Sequence, residues 1–222
     1  QLRVYNDIRT ETEIRNNLIN NYLSLNLNYY AKYSYYNTVL QIDSNNLLTD
    51  NSLYKYNINI NGNIIISSNQ TITGIGSIYF DGTDDYLTVG NVADSNFDLA
   101  GNDFTIEFWI YLNNYVSYAG IITRARTYGN YESSFGIGFV STTGQLSFWY
   151  TITGTSWINY LSTEILQLNT WYHIAYSRNN NNLYLYINGS LDNNYNIGNN
   201  IIYNTNTYQL VIGAWQHNNT NL

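Results

Sequence analysis

The 222-residue chain has no cysteine and no proline, only two histidines, and eight basic residues against fifteen acidic ones. Without cysteine there are no disulfides and no thiolate metal sites, and two histidines supply no zinc constellation. A formal charge of −7 with few, scattered cations leaves no patch to neutralise phosphates, which argues against a nucleic-acid partner. Lysine occurs only at Lys32 and Lys55, although abundant Asn, Ile and Tyr read as A+T-rich coding. No stretch reaches the roughly 18 continuous apolar residues of a membrane helix, so no membrane insertion is expected. The lack of proline removes one common guard of edge strands against pairing with other chains.

What is present is β-forming. Hydrophobic residues make up 44% of the chain and aromatic ones 17%, enough to fill a core. Ile, Leu, Tyr and Phe suit pleated, half-buried surfaces. The segment DFTIEFWIYL places Phe104, Ile106, Phe108 and Ile110 on one face and Thr105, Glu107, Trp109 and Tyr111 on the other. SIYFDGTDDYLTVG, AGIITRA, SFGIGFVS, GQLSFWYTI, TWYHIAYSR, NLYLYING and YQLVIGAW follow one another between Gly, Asn, Ser and Thr clusters. Short strands at such spacing predict a sandwich or jelly roll. Asn61-Gly62 predicts a type I′ hairpin turn. One short helix is expected, because Thr10-Glu11-Thr12-Glu13 forms a capping box and Ile14 and Leu18 share a helical face. A strand through Leu2, Val4 and Tyr5 precedes it.

The words SIYFDGTDDYLTV, FTIEFWIYL, LNTWYHIAYSR, NLYLYINGSL and YQLVIGA resemble the laminin-G-like branch of the concanavalin A-like jelly rolls, over about residues 50–222. The resemblance implies an all-β, laminin-G-like β-sandwich. In that family a strand like LRVYN and a short helix follow the LVIGA word; here LRVYNDIRTETEI stands at the head of the chain. The expected division is therefore a closing strand and helix over 1–20, a linker and leading strands over 21–75, and a jelly roll lacking its last strand over 76–222. Either Leu2, Arg3, Val4 and Tyr5 fold back into their own domain as a permuted strand, or they are donated to a neighbour. Donation is the leading expectation, since an empty strand slot exposes a row of backbone N–H and C=O groups and heterologous filling builds fibres.

Asp81, Asp84 and Asp85 in FDGTDDYL offer the hard oxygen ligands Ca²⁺ prefers, against the plainer reading of a capped Asp-Gly turn. Glu107, Trp149, Trp157 and Trp215 are candidate glycan-binding residues, with rings to stack on sugars and a carboxylate for hydroxyls, although buried Trp is more often packing. Trp109 and Trp171 match family-typical positions and are read as packing; His173 is read as core or inter-sheet packing. His217 has no readable partner. Asn69, Asn188 and Asn218 head N-x-S/T words, which arise by chance in so Asn-rich a chain.

Catalysis is not expected. A retaining glycosidase needs two carboxylates about 5–5.5 Å apart. Glu107 has Thr105 and Trp109 at its alternating positions, and no nucleophile elbow occurs. The expected function is a non-catalytic structural or adhesive module of an extracellular fibre, coat or virion surface, with copies of itself as partner and Ca²⁺ as the one cofactor considered. The alternative is a carbohydrate-binding module for surface glycans.

Overall fold

Alternation along each strand sorts side chains into two faces, and in this chain one face of nearly every strand is apolar. A computed structural model describes residues 2–20, 37–43, 48–72, 76–125, 133–205 and 207–215; Lys32, His217 and Asn218 lie outside them. The chain runs through β1 (Leu2–Tyr5), α1 (Glu11–Asn20), β2 (Thr38–Ile42), β3 (Ile58–Asn61), β4 (Ile65–Ser67), β5 (Ser77–Tyr79), β6 (Tyr86–Val89) and β7 (Phe104–Tyr111). It continues through β8 (Gly120–Arg124), β9 (Phe135–Phe139), β10 (Gln145–Thr151), β11 (Trp157–Ile165), β12 (Trp171–Asn179), β13 (Asn182–Ile187), β14 (Ser190–Asn196) and β15 (Leu210–Ile212). One sheet has the order β14-β13-β12-β7-β1-β2, the other β11-β10-β9-β8-β15-β6-β3, and β4-β5 is a separate ribbon.

The two sheets face each other across an aromatic core. Phe104, Ile106 and Phe108 of β7 and Tyr172, Ile174 and Tyr176 of β12 are buried from one side, Leu146, Phe148 and Tyr150 of β10 from the other. Phe148 is central: its ring lies 5.3 Å from Tyr176, 6.2 Å from Phe104 and 6.3 Å from Phe135. Such pairs add about 0.5–1.5 kcal/mol each beyond the area they bury.

Strand β1 is placed inside its own domain. Val4 pairs with Ile106 of β7 on one side and Leu40 of β2 on the other, so both edges of β1 are hydrogen-bonded within the chain. This is the permuted arrangement, and it corrects the leading expectation that Leu2, Arg3, Val4 and Tyr5 are donated to a neighbour. Residues 2–5 thus fill the position between β7 and β2 in the six-stranded sheet of the same chain.

The sheet edges are also blunted by side chains. Asp50 accepts hydrogen bonds from Gln41 N at 3.0 Å, and Ser52 Oγ donates to Val39 O at 2.9 Å, so the free side of β2 is capped. On β11, Asp192 of β14 accepts from Thr163 N at 2.9 Å and Glu164 N at 2.8 Å. With proline absent, carboxylates do the work of keeping these edges from pairing.

The Asn61-Gly62 expectation fails in one respect. Gly62 has φ +77, but β3 pairs with β6 rather than with β4. A Cβ on Gly62 would meet Asp85 Oδ1 at 2.3 Å, so the turn is shaped by this close approach and directs the chain into the β4-β5 ribbon. The I′-like hairpin is instead Asn188-Gly189, with φ 51 and 74, joining β13 to β14.

Candidate functional site

The outer face of the six-stranded sheet carries the most polar chemistry. Cross-strand pairs on β7 and β12 form four outward rungs: Thr105 with Ser177, Glu107 with Ala175, Trp109 with His173, and Tyr111 with Trp171. The first two rungs lie under the N-terminal segment. Helix α1 starts on its capping box, with Glu13 N donating to Thr10 Oγ1 at 3.2 Å and Thr10 N to Glu13 Oε2 at 2.9 Å. Its buried Ile14 packs on Ala175 and Tyr186. Arg9 N donates to Thr105 Oγ1 at 3.0 Å, which fixes the chain entering the helix.

Glu107 is where this cover is fastened. Its Oε1 accepts hydrogen bonds from Tyr5 Oη at 2.9 Å and Asn17 Nδ2 at 3.0 Å, with Arg3 Nη1 at 3.5 Å. His173 Nε2 lies 3.8 Å from its Oε2. Oε2 of Glu107 and Nδ1 of His173 have no hydrogen-bond partner among the described residues. Burial, reinforced by the Glu107 charge, pushes the Tyr5 phenol well above its ordinary range. Burial opposes the Arg3 charge, but Tyr5 and Glu107 hold its pKa above the usual arginine value. Burial pushes His173 below the ordinary histidine value despite the nearby carboxylate, so the ring is neutral at pH 7.

The last two rungs lie outside the hydrophobic core. Trp109, Tyr111 and Trp171 are half-buried on the outward face. The Trp109 and His173 rings meet edge-on at 5.2 Å, and Tyr111 and Trp171 at 5.4 Å with an interplanar angle of 54°. Trp109, Trp171 and His173 pack on neighbouring rings, but strand parity places all three on the outward face rather than between the sheets.

The expected glycan quartet is split between the sheets. Trp149, Trp157 and Trp215 gather on the outer face of the seven-stranded sheet, with Trp215 lying 5.4 Å from Trp149 and 6.0 Å from Trp157. Glu107 is on the other sheet and takes no part in that cluster. Trp149 and Trp215 are 7% and 6% exposed, Trp215 Nε1 is bonded to Tyr118 O at 2.8 Å, and a Cβ on Gly136 would meet the Trp215 ring at 2.6 Å. Only Trp157 of the three is half-buried.

Asp81, Asp84 and Asp85 do come together, with carboxylate oxygens within 4.8 Å of one another. Asp85 is buried and serves the backbone: Oδ1 accepts from Asn63 N at 2.7 Å and Oδ2 from Asp81 N at 2.9 Å. Asp81 Oδ1 accepts from Thr83 N at 2.8 Å. Asp81 and Asp84 are exposed to solvent. Asn69 and Asn188 are both exposed, and Asn188 Oδ1 accepts from His173 N at 2.9 Å.

Two arginines with structural roles went unnoticed in the sequence. Arg124 is 1% exposed, pairs with Asp98 at 2.7 Å and donates to the carbonyls of Val92, Asp94, Thr205 and Tyr208. Arg178 donates to Ala100, Asn180 and Asn200 carbonyls. Each stands in phase with the core-facing residues of its strand, Ile122 before Arg124 and Tyr176 before Arg178. That phase is the signal that marks them as pins for loop backbone.

The family model described as the concanavalin A-like lectin/glucanases superfamily matches residues 81–222. The chain belongs to this superfamily. No curated protein sequence matches it. Among solved structures, this concanavalin A-like domain is similar to the binding domain of Paraclostridial Mosquitocidal Protein 1, with TM-score 0.56, 19% identity, and coverage of 82% of this chain and 45% of that one. It is similar to the receptor binding domain of botulinum neurotoxin C/D mosaic serotype, with TM-score 0.55, 18% identity and coverage of 78% and 44%. It is also similar to the binding domain of botulinum neurotoxin DC in complex with SialylT, with TM-score 0.56, 20% identity and coverage of 78% and 42%. The likeness is one of fold, and the chain spans less than half the length of each of these proteins.

Proposed function

We propose that this concanavalin A-like domain is a non-catalytic glycan-recognition module of a secreted or surface-exposed protein. The observation that supports this most is the placement of aromatic side chains on the outward faces, half-buried and held by neighbours, where a sugar ring can stack at small entropic cost. Among the described residues Glu107, on central strand β7, contacts Tyr5, Asn17, Arg3 and His173, none of them a carboxylate. A glycosidase would need a second acid facing it. The structural neighbours are toxin binding domains, which agrees with recognition as the task. Among the described residues no helix is long and apolar enough to cross a membrane.

Fibre building by strand completion ranks second, because β1 fills the slot within its own chain and Asp50 and Asp192 cap two of the sheet edges, β2 and β11. A glycan array probed with the purified domain tests the proposal: selective binding is expected, and uniform silence across the array refutes it. The Ca²⁺ proposal is separable. Calorimetric titration with Ca²⁺, and melting with and without EDTA, should show heat and a shift if Asp81 and Asp84 bind the ion; no heat and no shift assign the trio to the turn alone.

A further inference from the structure

We infer that the ligand seat is the open half of the six-stranded sheet's outer face, Tyr111 and Trp171 beside Trp109, His173 and Glu107, and that its ligand is a neutral, hydroxyl-rich pyranose glycan. This rests on the glycan-recognition reading and gives it a place and a chemistry. Tyr111 and Trp171 sit directly opposite each other on neighbouring strands, their rings 5.4 Å apart. Two strands of one sheet hold them, so the apolar face of a pyranose meets rings that are already positioned.

Polar groups further along the same face select the ligand, His173 one rung from the Tyr111–Trp171 pair and Glu107 two rungs from it. Glu107 and His173 are 3% and 2% exposed, and Glu107 Oε2 and His173 Nδ1 lack hydrogen-bond partners among the described residues. With the imidazole proton on Nε2, facing the carboxylate, Nδ1 is an acceptor. Both unfilled positions therefore accept, and buried acceptors without donors are costly. Sugar hydroxyls donate. The carboxylate of an acidic sugar only accepts, and it would bring a second negative charge beside Glu107 on a chain of net charge −7. Arg3 already lies on Glu107 Oε1 at 3.5 Å, and Arg9 is stacked on the Tyr5 ring at 4.2 Å and paired with Asp7 and Glu13. Reaching that floor requires the half-buried Trp109 ring, edge-on against His173 at 5.2 Å, to turn aside. Helix α1, fastened to Glu107 by Asn17, closes the other end of the seat.

The rival seat is Trp157 with Trp149 and Trp215, whose rings are largely consumed by packing on each other and on Gly136. The test uses an array carrying glucose-, galactose- and mannose-terminated glycans alongside sialylated and sulfated ones, probed with the wild-type domain and with Tyr111→Ala, Trp171→Ala, Trp171→Phe and Trp157→Ala. Wild type should bind neutral glycans. Trp171→Ala and Tyr111→Ala should each weaken binding roughly tenfold, the equivalent of one aromatic contact. Trp157→Ala should bind as wild type. Loss confined to Trp157→Ala, or binding confined to acidic glycans, overturns the seat while leaving glycan recognition standing. No binding by wild type overturns both. Should Trp171→Ala fail to fold, the indole N–H resonance of Trp171 in the wild-type domain decides: it must shift on saturation with the neutral glycan found on the array, and a fixed resonance overturns the proposal.

Discussion

Strands β7 and β12 carry four outward rungs, and the two halves of that ladder have gone different ways. The Thr105 and Glu107 rungs are flanked by β1 in the sheet and roofed by Arg9 and helix α1, and every side chain there is tied to these neighbours. The Trp109 and Tyr111 rungs lie beyond the helix, their rings touching one another and their polar floor short of donors. The same two strands thus hold a structural seam and a surface fit for a ligand. Position on the sheet, not residue type alone, decides which role an outward side chain plays.

The sharpest way to break this comparison is at its boundary. Glu107→Ala removes the acceptor shared by Tyr5, Asn17 and Arg3 and strands the Arg3 guanidinium, which is 18% exposed, without its partner. Breaking a buried pair from one side costs about 3–5 kcal/mol. Urea denaturation should show that loss. A change below about 1 kcal/mol, the level of an exposed ion pair, means that the roof is fastened elsewhere.

A smaller effect is expected from Ile14→Ala. The side chain is fully buried against Ala175 and Tyr186, a cluster separate from the main core. Large-to-small changes of this kind cost about 2–5 kcal/mol, and the small cluster places this one near the lower end. Tyr111→Ala, two rungs away on β7, should cost less than Ile14→Ala, because its ring is only half-buried. If the two variants melt alike, the seam and the open half are not distinct in stability.

Local pattern carried the fold. The alternation in FTIEFWIYL set the inward and outward faces of β7, and TETE set the start of α1, because both signals lie within a few residues. The placement of LRVYN beside β7 was legible as one of two arrangements only through family resemblance. Choosing between them took the pairing of Val4 with Ile106, a contact across about a hundred residues that no local spacing encodes. The site was less legible for the same reason. Residue type alone puts Glu107 with Trp149, Trp157 and Trp215, but strand order sends it to the opposite sheet while the three rings lie together. The Glu107–Tyr5–Asn17–His173 cluster joins four separate segments, so no motif announces it.

The smallest expected effect comes from His173, which stands at the junction of the two halves. The groups facing it are Glu107 on β7, which favours the charged ring, and Arg3 on β1, which disfavours it; burial outweighs both and lowers its pKa from the ordinary 6.5. Between 6.5 and that lowered value the unfolded chain holds a proton that the native state does not. More protons on the unfolded side means that stability rises with pH, so this contribution is complete above the unfolded pKa and is lost as pH falls below it. Thermal melts from pH 7.5 to 5 should therefore show a steeper decline for wild type than for His173→Gln. Equal slopes would mean that the ring takes up its proton in the fold as readily as in the unfolded chain. The open half gives a second readout of the same proton. Protonation turns Nδ1 from an acceptor into a donor, so a neutral glycan seated there should bind more weakly as pH falls through the same window, and a pH-independent affinity would show that the ligand does not touch His173.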